Sequence, residues 1–348
     1  MKNFYKNKNI LITGHSGFKG SWLSLMLLYL KSNIYGFSLK PKRLSLFNIL
    51  KLNRKITKNK FCDIRNYKQL EKFVSRSNPD IIFHLAAQPI VSEGYLKPVY
   101  TWEVNVEGTL NLLKASEKIK KNCTLAIITT DKVYKDLGKK KYDENATLGG
   151  DDPYSASKVA VENLINEWRK VKKNKKVKIT VARAGNVIGG GDWSKNRLIP
   201  DLVRNVSKKK FTYIRRPKSI RPWQYVLKVL EGYLILAKKT YQSNASQFDG
   251  PFNFGPQISE CKSVYNVVKE FNNNWKIRVR YKSNLKNFKE TDYLFLNSKK
   301  AKSKLNWLSS YSLKQTIQKT CMWYKNFYLK KNNIYNFSIK EIKDCLKI

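Results

Sequence analysis

Up to about residue 184 the chain alternates short apolar runs with longer segments whose apolar residues recur at helical spacing. "NILITG" (9–14), "NIYGFSL" (33–39), "PDIIFHLAA" (79–87), "TLAIITT" (124–130) and "VKITVARAGNV" (177–187) predict strands. Between them, "GSWLSLMLLYLKS" (20–32), "YKQLEKFVSRS" (67–77), "VYTWEVNVEGTLNLLKASEKI" (99–119) and "YSASKVAVENLINEWRKV" (154–171) predict helices. Alternation at this spacing implies right-handed βαβ units, and so an α/β chain with a Rossmann-type, doubly wound parallel sheet. After Gly191 the pattern loosens into short elements that end in a helix over 313–328. A smaller domain over the carboxyl edge of the sheet, where such folds bind ligands, fits this. The expected division is a first unit over 1–185, a second over 186–330, and a Lys/Asn-rich basic tail over 331–348 that is partly ordered.

The glycines Gly14, Gly17 and Gly20 of "TGHSGFKG" follow the first strand and open the first helix. There they permit a tight turn and close approach of a pyrophosphate to free amides at a helix N-terminus, so 1–185 reads as a dinucleotide-binding unit. An Asp or Glu is expected near the end of the second strand if the dinucleotide is NAD. Ser38, Lys40 and Arg43 stand there instead, which leaves NADP open. Asp63, in "CDIRN", either places a carboxylate near the adenine or closes a turn.

Composition removes several classes of function. Hydrophobic residues make up 42%, with 20 Tyr, 16 Phe and 8 Trp, enough for a sizeable core and too many for a disordered basic chain. No apolar run reaches membrane-spanning length, and the basic N-terminus runs straight into the glycine motif with no secretory signal. Five scattered cysteines (62, 123, 261, 321, 345) have no metal-ligand spacing and suggest a reducing cytoplasm. The formal net charge is +44, but only 13 of the 69 basic residues are Arg. Nucleic-acid readout favours Arg forks in a patch. Lysines spread along the whole chain fit compositional drift in an AT-rich genome better, so no nucleic-acid partner is expected. His15 sits in the glycine loop and His84 in a strand, and neither is given a catalytic role.

Tyr154 and Lys158 lie at i,i+4 and so share a helix face. An ammonium beside a phenol stabilises the phenolate and lowers its pKa, the requirement for a tyrosine base at neutral pH. "TTDKVY" (129–134) adds a carboxylate and an amine, Asp131 and Lys132, where the strand 124–130 runs out. They form either a solvated loop or an acid and a base aimed at one substrate.

These motifs together resemble the extended short-chain dehydrogenase/reductases, in the NAD-dependent epimerase/dehydratase group. Over roughly 9–325 the resemblance is to CDP-glucose 4,6-dehydratases, through "TGHSGFKGSWLSL", "FHLAAQPIV", "NVEGTLNLL", "TTDKVY", "DPYSASK", "ARAGNVIGGGDW", "RLIPDLVR", "IRPWQYV" and "NFGP". The resemblance implies a tightly held NAD, a nucleotide-sugar substrate (CDP-glucose favoured), a helix-paired homodimer, no metal, and a 4-keto-6-deoxyhexose product for surface-glycan deoxysugars. It implies cofactor contacts from Gly14, Gly17, Phe18, Lys19, Gly20, Asp63, Ile64, Leu85, Ala86, Ala87, Gln88, Asn105, Thr129, Tyr154 and Lys158. It makes Tyr154 the base at the C4 hydroxyl, with Thr130 on the C4 oxygen, Lys132 the base at C5 and Asp131 the acid at the C6 hydroxyl. Lys132 must then be neutral, which burial and Lys158 would favour. Asn186 is placed to bind a sugar hydroxyl or a diphosphate oxygen, or is a turn residue before the glycines. Arg197 and Arg221 are candidates for diphosphate pairing or simple ion pairs. Trp193 and Trp223 either wall the sugar or pack. The alternatives are another nucleotide-sugar dehydratase, a C4 epimerase, or a non-catalytic dinucleotide-sensing Rossmann protein.

Overall fold

In the computed structural model, which describes residues 1–243, 246–281, 292–330 and 332–347, seven strands among the described residues form one sheet. They are β1 (Asn9–Thr13), β2 (Asn33–Ser38), β3 (Lys58–Phe61), β4 (Ile81–His84), β5 (Cys123–Ile128), β6 (Val177–Ala184) and β7 (Pro251–Phe254). Their order across the sheet is β7-β6-β5-β4-β1-β2-β3, and every neighbouring pair is parallel. The doubly wound sheet expected from the alternation is present. Its strand order reverses between β1 and β4, so the turns after these two strands face each other across the crevice where such sheets take ligands.

The apolar runs are continuous because both faces of the sheet are covered. Ile10, Ile12, Ile81, Phe83, Ala126 and Ile128 point into one core cluster. Leu11, Ile82, Leu125, Ile127, Ile179 and Val181 point into the other. The helix Phe18–Tyr29 is apolar nearly all round and buries Trp22, Leu23, Leu25, Met26 and Leu27 completely, each contributing about 1.5–3 kcal/mol. Two strands carried no sequence signal. β3, "KNKF", is an edge strand with no buried position. β7 comes from beyond residue 185 and pairs with β6, Asn253 opposite Arg183.

The predicted helix over 99–119 is helical from Pro98 to Ser116, with a π-helical segment at Glu103–Glu107. The Lys/Asn-rich end of the chain, expected to be only partly ordered, carries a helix, Ile334–Leu346. Its residues Ile342, Cys345 and Leu346 recur at helical spacing and enter the larger core cluster. Tyr225 donates to Glu341 at 2.6 Å, and Lys319 pairs with the same carboxylate at 3.1 Å. No helix among the described residues is long and apolar enough to cross a membrane.

Candidate active site

The glycine turn after β1 is built for close approach. Gly14 has φ +77°, and a Cβ there would lie 2.7 Å from the Ala86 nitrogen. A Cβ on Gly20 would lie 2.1 Å from the Gly14 oxygen, so the helix can sit on the turn only with glycine there. Helix Phe18–Tyr29 starts at Gly17 with no side-chain cap and no acid in its first turn. Open amides at an uncapped helix start, beside a turn too tight for side chains, fit a dinucleotide pyrophosphate.

The loop after β4 is held from below. The Ala86 amide donates to Thr13 Oγ1 at 3.3 Å. Asn105 lies in the π-helical segment; its Oδ1 accepts from the Gln88 amide at 2.8 Å, and its Nδ2 donates to Gln88 O and Ser157 Oγ. The Asn105 amide is thus committed to fixing the 85–88 loop against helix Pro153–Val171. π segments recur where a helix must re-aim one such side chain. Asp63 is engaged by Arg65, whose guanidinium also reaches Glu103. That ion pair holds the Asp63 carboxyl below its ordinary value, and its geometry is that of the turn-closing alternative. Ile64 packs under Gly108. At the end of β2, Ser38 donates to Ser16 Oγ at 2.8 Å, while Lys40 and Arg43 are exposed. His15 is wedged against Gly36, bound to Asn59 Oδ1 at 2.8 Å, and burial holds its pKa down to about 4.

Beyond β5, Thr129 and Thr130 continue extended and Asp131–Val133 makes one 3₁₀ turn, with Thr130 at its N-cap. The turn is not a solvated loop: Asp131 is 3% exposed. Thr130 Oγ1 donates to Asp131 Oδ1 at 3.1 Å, and Asp131 Oδ2 is buried with no hydrogen-bond partner. Burial pushes the Asp131 carboxyl up, opposed by Lys132, the Thr130 hydrogen bond, Arg221 and Lys19. Lys132 is half-buried, not buried as expected. An unpartnered oxygen on a carboxyl that burial drives toward protonation is the geometry of a proton donor awaiting its acceptor.

Tyr154 and Lys158 are both buried on helix Pro153–Val171, whose start is capped by Asp152 accepting from the Tyr154 amide at 2.9 Å. One expectation is corrected. Burial pushes the Tyr154 phenol up to about 12; the groups drawing it back are the hydrogen bond with Thr130 and the charge of Arg197, not Lys158. The Lys158 ammonium points at Ile128 O, 3.5 Å away, and burial together with Lys19 holds Lys158 itself down to about 8. Lys19 is held down to about 8 as well, by burial and then by Arg197.

A cleft of about 960 Å³ brings together Phe18, Lys19, Thr129, Thr130, Asp131, Lys132, Tyr154, Asn186, Arg197 and Arg221. Gly14, Gly17, Gly20, Asp63, Ile64, the 85–88 loop, Asn105 and Lys158 lie outside its lining. Arg197 pairs with Asp192 at 3.2 Å, and Arg221 donates to Ile220 O and Asp292 O. Trp223 lines the cleft, whereas Trp193 packs among Trp323, Tyr324 and Phe327. Arg215, Arg216 and Lys218 also line it. The sequence reading did not single them out, although "YIRRPKSIRPW" concentrates cations where an anionic substrate would meet them.

The aspartate's titration has a measurable sign. A carboxyl raised in the fold above its value of 3.8 in the unfolded chain stabilises the protein at low pH, and that stability is lost as pH rises through the folded value. Asp131→Asn should therefore raise Tm at pH 7, with the gain disappearing as pH falls below the ordinary carboxylate range. Thermal melts at both pH values check this. A lower Tm at pH 7 would mean that Lys132, Arg221 and Lys19 outweigh burial.

A family model described as GDP-mannose 4,6 dehydratase matches residues 11–320. The CDP-glucose 4,6-dehydratase of Salmonella typhimurium is 37% identical, over 99% of this chain and 98% of its own. Among solved structures, UDP-glucose 4-epimerase of Thermotoga maritima with UDP-glucose matches with TM-score 0.79 at 22% identity, over 92% of this chain and 99% of its own. dTDP-glucose 4,6-dehydratase of Bacillus anthracis in complex with NAD matches with TM-score 0.75 at 22% identity, over 94% and 99%. At that identity the structures speak for the fold alone.

Proposed function

The chain belongs to the GDP-mannose 4,6 dehydratase family, and we propose that it is the NAD-dependent dehydratase that converts CDP-glucose to CDP-4-keto-6-deoxyglucose. One observation carries the reading from the site: a buried, half-unpartnered Asp131 and the adjoining Lys132 line the same cleft as Tyr154. A C4 epimerase needs Tyr154 and no such pair. The full-length match to a CDP-glucose 4,6-dehydratase favours cytidine as the nucleotide.

The residues that would hold NAD are the turn Gly14–Gly20 with the open helix start, and the 85–88 loop fixed by Asn105. Bound there, NAD would supply a hydride acceptor for C4 and a hydride donor for C6. The chain's own groups move the protons. Tyr154 takes the proton of the C4 hydroxyl while Thr130 hydrogen-bonds its oxygen. The 4-ketone acidifies C5–H, which Lys132 removes. Asp131 gives its proton to the C6 hydroxyl, which leaves as water. Arg197 and Arg221, with Arg215 and Arg216, face the substrate's diphosphate.

Residues 1–185 act mainly on the dinucleotide and 186–330 mainly on the nucleotide sugar. The enzyme works in the cytoplasm, and its product feeds deoxysugars of surface glycans. It pairs as a homodimer through its helices: Leu96 and Val99 stand 69% and 70% exposed beside helix Pro153–Val171. Light scattering should give twice the chain mass, and a monomer at working concentration would refute the pairing. Substrate choice is tested by incubating the protein with CDP-, dTDP-, UDP- and GDP-hexoses and scoring loss of water by mass spectrometry. CDP-glucose should react fastest; a faster reaction with another nucleotide would reassign the substrate.

A further inference from the structure

Behind the catalytic turn lies a buried ion pair that the mechanism above does not use. Glu162 and Arg183 are each 3% exposed and face each other through two guanidinium nitrogens. Thr129, the residue before the turn's N-cap, donates to Glu162 Oε1 at 2.7 Å. Tyr134, the residue after it, accepts from Arg183 Nη1 at 2.7 Å and donates to Asn253 Oδ1 at 2.7 Å. The guanidinium also lies 4.9 Å from the centre of the Tyr134 ring. Both ends of the segment 130–133 are thus tied to one ion pair, which joins helix Pro153–Val171 to β6, and Tyr134 also to β7 through Asn253.

The turn needs outside anchors. Its own capping bond, from the Lys132 amide to Thr130 Oγ1, is 3.4 Å long, beyond the usual range of 2.7–3.2 Å for an N–H···O bond. A single 3₁₀ turn with so weak a cap does not fix two side chains by itself. Buried charge pairs add little net stability compared with apolar residues of equal volume, so stability alone is a poor account of this one.

We propose that Thr129 and Tyr134, held by the Glu162–Arg183 pair, are positioning residues that aim Asp131 and Lys132 for the elimination step. This rests on the dehydratase reading and deepens it. The two halves of that reaction draw on different supports. Tyr154 and Lys158 stand on helix Pro153–Val171, with only Thr130 reaching the C4 oxygen from the turn's N-cap, whereas Asp131 and Lys132 both stand on the turn. Loosening the turn therefore slows loss of water more than oxidation at C4.

The test avoids the ion pair, because removing either partner strands a buried charge and endangers folding. Glu162 also sits one helical turn from Lys158, and its charge acts on that amine. Tyr134→Phe keeps the ring and its stacking on Tyr142; Thr129→Val keeps the shape. Quenched single turnovers with CDP-glucose separate the ketone that has the mass of CDP-glucose less two hydrogens from the product that has its mass less one water. Each variant should lose water on the order of tenfold to a hundredfold more slowly, the scale of a misplaced catalytic group. C4 oxidation should slow by a smaller factor, KM in Tyr134→Phe should stay close to the parent's, and Thr129→Ser should restore the rate lost in Thr129→Val. Parental water loss in both variants overturns the assignment, as does equal slowing of both steps with a lowered Tm, the mark of a merely structural role. A parent that never releases water overturns the dehydratase reading, and this assignment with it.

Discussion

Tyr154→Phe should bind CDP-glucose and leave it unchanged, with neither 4-keto sugar in a quenched reaction. The substitution removes one oxygen. The ring stays where the Asp152-capped helix holds it, and Asp131, Lys132 and the glycine turn are untouched. What is lost is the acceptor for the C4 hydroxyl proton, and a positioned acid or base is worth about 10²–10⁴-fold. Since the ketone precedes every later step, loss of water should fall by the same factor. The parent's pH dependence has a definite sign. Burial places the phenol at about 12 without cofactor, and the reactive form is the phenolate, so C4 oxidation should accelerate as pH rises through the neutral range. A Phe variant that oxidises C4 at the parental rate would place the base elsewhere in the cleft.

Lys132→Ala should split the reaction at its middle. Thr130, Tyr154 and Lys158 remain, so the 4-ketone should form. The base at C5 is gone, so the ketone that retains its C6 hydroxyl should accumulate, and exchange of the C5 hydrogen with deuterated water should slow about 10²–10⁴-fold. Asp131→Asn should also hold the reaction at the ketone while leaving C5 exchange faster than in the alanine variant, since the base is still present. Parental turnover in Lys132→Ala would return the amine to the status of a loop residue and leave Asp131 without its partner.

The strands and helices that frame the cleft were legible because their apolar periodicity reports burial directly. Ile10-Leu11-Ile12 and Leu125-Ala126-Ile127-Ile128 fill both faces of one sheet. The placement of Asp131 and Lys132 in the cleft with Tyr154 was legible because residue type and position along the strand agree. Partner choice across the fold was not legible. Nothing in "CDIRN" says that Arg65 will hold the Asp63 carboxylate. Nor does Tyr154–Lys158 spacing reveal that the amine turns to Ile128 O while Thr130 and Arg197 act on the phenol. The Thr129–Glu162–Arg183–Tyr134 chain joins residues of three separate elements, which no local pattern encodes. The terminal helix was obscured by its lysines and asparagines, although it buries three apolar positions, Ile342, Cys345 and Leu346.

In the proposed reaction one enzyme moves a hydrogen from C4 to C6 while Lys132 and Asp131 expel water between. CDP-glucose carrying deuterium at C4, turned over in ordinary water, tests it most directly. The expected product is a 4-keto-6-deoxy sugar with the deuterium in its C6 methyl group and one solvent hydrogen at C5, formed with no net consumption of NAD. Deuterium returned to C4 of a hexose that has kept all its oxygen would instead identify an epimerase and rule out the dehydratase.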